Sequence, residues 1–289
     1  MQDAICKIKG GEFTCHLLSD GNLVYPAAAV LADAPANQLA GVLTAEELAA
    51  GQLTVPYNAL LVDTGAHRVL IDTGAGPLGP ATGGLINSLR GAGVAPETVD
   101  LVVFSHAHPD HIGGTVDGAG NLSFPNARFI MLRAEFDYWK DEAIQERLAA
   151  NELYRSGFDP VIGQWIRTYL PPIENRLELL ERDAEIAPGV QAIPAAGHTP
   201  GHLAVMVSSG RQQVLYAGDS VIHPAQIGRP EWNSMFETDR RAAEQTRRQL
   251  LDRAATDRCL VAGTHLATVG RVVRSGSGYK WEAESAAGA

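Results

Sequence analysis

The sequence lacks what nucleic-acid binding, membrane spanning or a secreted disulfide scaffold would need. Against 33 acidic residues it has only 23 lysines and arginines, none gathered into a basic run, for a net charge of −10. Contact with a phosphate backbone needs a clustered cationic surface, so nucleic acid is excluded as a partner. Cys6, Cys15 and Cys259 are few, odd in number and without C-x-x-C spacing, which argues for reduced structural thiols rather than a disulfide framework. Cys259, inside CLVAG, reads as core. The opening stretch MQDAICKIKGGEFTC has no apolar run behind a basic start. Neither a secretory signal nor a membrane anchor is therefore expected, and the cytoplasm is the expected compartment. Low-complexity segments are absent. The glycine-rich DTGAGPLGPATGG that begins at Asp72 lacks the lysine of a phosphate-binding loop.

What is present is 289 residues, 45% of them hydrophobic, enough for one large core. A single domain over 1–289 is expected, with an N-terminal extension to about residue 55 and a frayed tail from about Glu284. Residues 57–63 and 68–72 read as a β-hairpin, 84–90 as a helix and 101–105 as a buried strand ending at His106. A strand at 127–132 leads into one helix from Arg133 to Leu148, whose apolar side carries Phe136, Trp139, Ala143, Ile144 and Leu148. A further helix near 160–170 stops at Pro171-Pro172. In the second half, VQAIP, HLAVMVSS, QVLYAGD and CLVAG read as strands, and 239–254 as a surface helix with Ala243, Thr246, Leu250 and Ala254 facing inward.

The chemistry is concentrated in F-S-H-A-H-P-D-H, residues 104–111, where three imidazoles and a carboxylate directly follow a strand. In an extended segment His106 and His108 point to the same side and can grip one ion together. Pro109 then breaks the strand and turns Asp110 and His111 toward a second position. Imidazole and carboxylate together suit borderline divalent ions such as zinc. Three further strand ends deliver the same chemistry, at His198 in AGHTPGH, Asp219 in AGD and His265 in GTH.

These motifs, in this order, resemble the metallo-β-lactamase superfamily, and the resemblance runs from IDTG at 71–74 to GTH at 263–265. It implies an α/β fold, a four-layer αββα sandwich with metals at one edge of two sheets. By position, His106, His108 and His198 would hold one ion, and Asp110, His111 and His265 the other, with Asp219 bridging them. Two divalent ions per chain are implied, zinc first, with manganese, iron or cobalt as alternatives. Asp72 and His202 would support the ligands from behind, fixing imidazole tautomers. The chain has no room for the inserted domain of the nucleic-acid-processing members. It has His108 where the flavodiiron members have glutamate, and it lacks the cysteine that the dinuclear β-lactamases place near position 219.

LSDG at 18–21, DTGAGPLGP, FPNA at 124–127 followed by Trp139, and the ending through Gly270, Gly276 and Gly278 to Tyr279-Lys280-Trp281 resemble the methyl parathion hydrolase-like and lactonase branch. That branch implies a small-molecule substrate pocket containing Leu78, Trp139 and Ile222, and His223, next in sequence, is a further candidate as substrate contact or proton donor. Two ions sharing a water would supply a bridging hydroxide as nucleophile, with the proton accepted or relayed by Asp110 or passed directly to the leaving group. Homoserine-lactone hydrolases usually carry tyrosine where this chain has Ile222, so lactones, aryl esters and phosphotriesters all stay open as substrates. The alternative readings are a glyoxalase II-like thioester hydrolase and a mononuclear iron persulfide dioxygenase. A homodimer is the assembly common among such relatives, and no membrane partner is expected.

Overall fold

The computed structural model describes residues 6–10, 12–150 and 164–284. Among the described residues, the strands form two seven-stranded sheets. The first runs in sequence order: β1 (Cys6–Gly10), β2 (Phe13–Pro26), β3 (Gln52–Asp63), β4 (Arg68–Ile71), β5 (Leu101–Val103), β6 (Arg128–Leu132) and β7 (Leu177–Leu180). The second comprises β8 (Ala184–Ala187), β9 (Val190–Pro194), β10 (Leu203–Ser209), β11 (Gln212–Tyr216), β12 (Leu260–Ala262), β13 (Gly270–Ser275) and β14 (Gly278–Ala283). β4 to β7 are mutually parallel, as are β11 and β12; the other neighbours are antiparallel.

The central strands, such as β4, β5 and β10, are apolar on both faces because both faces are covered. Alternate residues go to opposite sides. Leu60 and Val62 of β3, Ile130 and Leu132 of β6, and Leu203, Val205 and Val207 of β10 fill the layer between the sheets. Their neighbours Leu61, Phe129 and Met131 face an outer layer with Leu85, Leu89, Trp139 and Trp165. On the far side, Ala204 and Met206 meet Leu250, Leu251 and Ala254 of the helix Arg240–Asp257. The order is helix, sheet, sheet, helix, with each buried aliphatic side chain contributing about 1.5–3 kcal/mol. Cys15 and Cys259 lie within these layers, and burial pushes their thiols up to about 12 and about 11.

The segment before residue 55 supplies β2, which pairs with β3 along its whole length. The expected single helix over 133–148 is two, Arg133–Lys140 and Glu142–Ala149. Asp141 separates them in an extended conformation and its carboxylate accepts from the amides of Ala143 and Ile144. A short acidic side chain here caps a new helix more favourably than it continues the old one. The further helix is described over Gln164–Tyr169 and ends before Pro171; most of its expected N-terminal part, and all but the first residue of the expected tail, lie outside the described residues. Among the described residues no helix is long and apolar enough to cross a membrane.

The edge where β4, β5, β11 and β12 end is where function collects. There the two sheets are fastened by backbone bonds, Leu203 N to Ser105 O (2.8 Å) and Asn58 N to Thr264 O (2.9 Å).

Candidate metal centre

Each ligand motif ends a strand at this edge. β5 leads to Ser105 and His106, after which Pro109 opens a single helical turn, Pro109–Ile112, that raises Asp110 and His111. β9 leads to His198, β11 to Asp219 and β12 to His265. The seven side chains form two sets whose donor atoms lie within 4.8 Å of one another: His106, His108, His198 and Asp219, and then Asp110, His111 and His265. His108 Nδ1 lies 2.8 Å from His106 Nε2 and 3.0 Å from His198 Nε2. Asp219 spans both sets, Oδ2 being 3.3 Å from His198 Nε2 and 3.1 Å from His265 Nε2, and Oδ1 3.2 Å from His111 Nε2. Asp110 Oδ2 stands 3.5 Å from His265 and 3.7 Å from His111.

Second partners hold the rings. Asp72, in the left-handed region at φ 66°, accepts from the Ser105 amide (2.7 Å) and from His111 Nδ1 (2.9 Å). It also accepts from the Ser105 hydroxyl (2.8 Å), and the Tyr216 hydroxyl lies 3.2 Å away. A carboxylate on Nδ1 fixes the proton there and leaves Nε2 with its lone pair. His265 Nδ1 donates to Pro56 O at 2.9 Å, with the same result. His202 Nδ1 donates to Ala195 O (3.2 Å) while its Nε2 accepts from the Asp219 amide (3.0 Å), so it holds the bridging turn. Burial keeps that ring neutral, down to about 4. Residue 218 must be glycine, since a Cβ there would sit 2.6 Å from His202 Nε2, at φ 50°.

Glu135, which carried no role in the sequence reading, ties two ligand loops together. Its Oε1 accepts from the Ala107 amide (2.9 Å) and Trp139 Nε1 (2.6 Å), and its Oε2 from the Thr199 hydroxyl (2.6 Å) and the Gly201 amide (3.0 Å). A Cβ at residue 201 would stand 2.0 Å from the Glu135 amide, so only glycine permits this approach. The sequence signal was an acid on the inner face of a helix, one turn before Trp139.

Burial, reinforced by neighbouring imidazoles, drives His106 and His198 well below the ordinary histidine value and His108 to about 3. At His111 and His265 burial pulls the same way, but the carboxylates of Asp219 and Asp110, with Asp72 at His111, outweigh it and raise both. Burial opposes charge on Asp219 too, yet His265, His111 and His198 hold it well below the usual carboxylate range. Asp110 is raised, chiefly by burial. His108 Nδ1 offers one proton or one lone pair, so it cannot make a full hydrogen bond to both His106 Nε2 and His198 Nε2. Buried Asp219 Oδ1 and His111 Nε2 also find no hydrogen bond. Divalent cations resolve both conflicts, and nitrogen with carboxylate oxygen is the donor mix that borderline ions take, so the residues fit two of them.

Residues 54–265 match the metallo-beta-lactamase superfamily. The chain belongs to that superfamily. A probable metallo-hydrolase of Mycobacterium tuberculosis is 30% identical to this metallo-beta-lactamase-fold chain over 226 residues, 68% of this chain and 67% of that relative. An N-acyl homoserine lactonase of Bacillus cereus is 27% identical over 133 residues, and the match spans only 42% of that relative's length and 45% of this chain. Among solved structures, the dizinc quorum-quenching lactonase AidC superposes with TM-score 0.86 at 28% identity, covering 96% of this chain and 97% of AidC. The hydrolase AbOPH superposes with TM-score 0.85 at 25% identity over 99% of both chains. The architecture expected from the motifs is thereby the architecture observed.

Beside the donors lies a small cavity, walled by Tyr25, Val30, Val55, Ile222 and Phe236 as well as His108, Asp110, His198, Asp219 and His265. Of the four pocket residues expected, the structure brings Ile222 to it. Leu78 packs behind the wall, in the cluster that holds Tyr25, Ile222 and Trp232. Trp139 is fully buried, its ring edge-on to His108 with centroids 5.3 Å apart, so it backs a ligand rather than facing the cavity. His223 Nδ1 accepts from the Ala225 amide at 3.2 Å and so is engaged in the turn that follows Asp219. Tyr25, Val30, Val55 and Phe236 were missed because they come from segments about 200 residues apart that only the fold joins.

Proposed function

We propose that this chain is a dinuclear metal-dependent hydrolase of ester bonds in small molecules, with lactones as the substrate class, and with aryl esters and phosphotriesters within its chemical range. The observation that carries the reading is the pair of converging donor sets sharing Asp219 beside an apolar-walled cavity. The lactonase relatives and the AidC superposition support it.

When bound, divalent ions would supply Lewis acidity here, able to lower the pKa of water from about 15.7 toward 7 and to polarise a carbonyl or phosphoryl oxygen. His106, His108 and His198 would hold one, Asp110, His111 and His265 the other, and Asp219 both. The chain's own residues supply the rest. Val30, Val55, Ile222 and Phe236 desolvate the ester and seat its apolar part. Asp110, which lines the cavity, can take up the proton released when water adds to the ester, and return it to the departing oxygen. Asp72 and His202 hold His111 and the Asp219 turn still through the reaction.

The test is turnover by purified, zinc- or manganese-loaded protein of an N-acyl homoserine lactone, dihydrocoumarin, an aryl acetate and methyl parathion. Lactone turnover abolished by a chelator and restored by metal supports the reading. Failure on every substrate by protein carrying two ions overturns it. The convergence of Asp110, His111 and His265 weighs against the mononuclear iron dioxygenase, and a glutathione thioester assay decides the glyoxalase II-like alternative.

A further inference from the structure

Among the described residues, the cavity wall holds one polar group that is not a candidate metal donor. Among the described residues lining it, the donors account for every imidazole and carboxylate, and Val30, Val55, Ile222 and Phe236 are apolar; Tyr25 alone adds a hydroxyl. Its place follows from strand geometry. β2 passes a bulge at Ser19/Gly21, and beyond it Val24 points out, 56% exposed, while Tyr25, opposite Leu53 of β3, points in. Phe236 meets the Tyr25 ring edge-to-face, with centroids 5.8 Å apart at 75°. The Tyr25 hydroxyl is hydrogen-bonded to that of Tyr57. Tyr57 is fully buried, with its ring 5.3 Å from the ring of His265. A second tyrosine behind the first is a costly way to fill an apolar wall, because a phenol oxygen loses water on burial and phenylalanine would pack as well. The pair acquires a use if Tyr57 donates to Tyr25, for then the Tyr25 proton can turn toward a ligand's oxygen.

We propose that Tyr25 is a catalytic residue that hydrogen-bonds the ester oxygen on which negative charge builds up, with Tyr57 as the positioning residue that aims its hydroxyl. The assignment rests on the ester-hydrolase reading of this site. No covalent step is involved, and the phenol keeps its proton throughout. A donor placed where charge develops acts on kcat more than on KM.

The experiment compares metal-loaded wild type, Tyr25→Phe and Tyr57→Phe on the best lactone and the best aryl ester, with metal content measured on the same samples. Tyr25→Phe is expected to retain two ions per chain and to lose about 10²-fold in kcat with KM changed less than about threefold. Tyr57→Phe, which leaves the Tyr25 hydroxyl in place without its partner, is expected to lose about tenfold. Wild-type turnover in the same series tests the ester-hydrolase reading by itself. Wild-type turnover with an unchanged kcat in Tyr25→Phe overturns the assignment while that reading stands, and so does a loss of kcat that merely follows a loss of metal.

Discussion

Replacing Asp72 by asparagine changes one atom and tests how the second ion position is made. The carboxylate accepts a hydrogen bond from His111 Nδ1 at 2.9 Å, which keeps the proton on that nitrogen and leaves His111 Nε2 with a lone pair 3.2 Å from Asp219 Oδ1. Asparagine can keep its oxygen on the Ser105 amide, now 2.7 Å from Asp72 Oδ1, and asparagine tolerates the left-handed backbone at φ 66°. Its amide nitrogen must then face His111 Nδ1 and donate to it. His111 responds by moving its proton to Nε2, where the proton points at Asp219 and occupies the ligand position. The fold should survive, because the Ser105 hydroxyl can accept and the Tyr216 hydroxyl also has Asn58 O at 2.9 Å; the loss of charge-assisted bonds costs about 1–2 kcal/mol. Metal affinity at the Asp110–His111–His265 position should fall about 10–100-fold, or about 1.4–2.8 kcal/mol. The assay is equilibrium dialysis at graded free zinc with metal analysis, alongside lactone turnover and its recovery in excess zinc. If Asp72→Asn held both ions at the same free zinc as wild type, the tautomer argument would be refuted.

Other consequences follow from the same contacts. Glu135→Gln keeps one acceptor oxygen and turns an amide toward two of four donors, so a loss of about 2–4 kcal/mol is expected, seen as a Tm lower by about 5–15 °C; an unchanged Tm would refute the clamp. Arg247 is fully buried and donates to Ser220 O (2.7 Å) and Glu237 Oε1 (3.1 Å), and also to Pro230 O. Arg247→Met should therefore cost about 3–5 kcal/mol by stranding Glu237, and adding Glu237→Leu should recover part of it; denaturant midpoints without any recovery would contradict the pairing. In metal-free protein His111 and His265 bind protons more tightly than in the unfolded chain, so their contribution is complete below about pH 6.5 and fades as pH rises through their raised values. Chelated protein should thus lose Tm as pH rises above about 6.5 while the metal-loaded form loses less, and parallel Tm curves would sink the idea.

The ligand set was legible because ligand chemistry is dense and sits at strand ends: four ligands fall between His106 and His111, and His198, Asp219 and His265 each close an apolar run. Parallel and central strands were equally visible, since a strand covered on both sides must be apolar throughout. The misses share a physical cause, that local patterns do not report which distant surface will cover them. Asp141 ended a helix because its own side chain offered a competing cap. Arg247 lies on the stripe of Ala243, Leu250 and Ala254 in a helix read as a surface one, and its charge hid the fact that carbonyls of residues 220 and 230 would meet it there. Tyr25 and Phe236 touch edge-to-face across about 200 residues of sequence, so no window could join them into a cavity wall.

Metal content of active protein tests the central claim most directly. Protein dialysed free of loose metal and assayed for lactone turnover should carry two divalent ions per chain, and Asp219→Ala should lose both ions and turnover together, because that carboxylate spans the two donor sets. One ion per chain at full activity, or an Asp219→Ala variant that still turns over, would contradict the account.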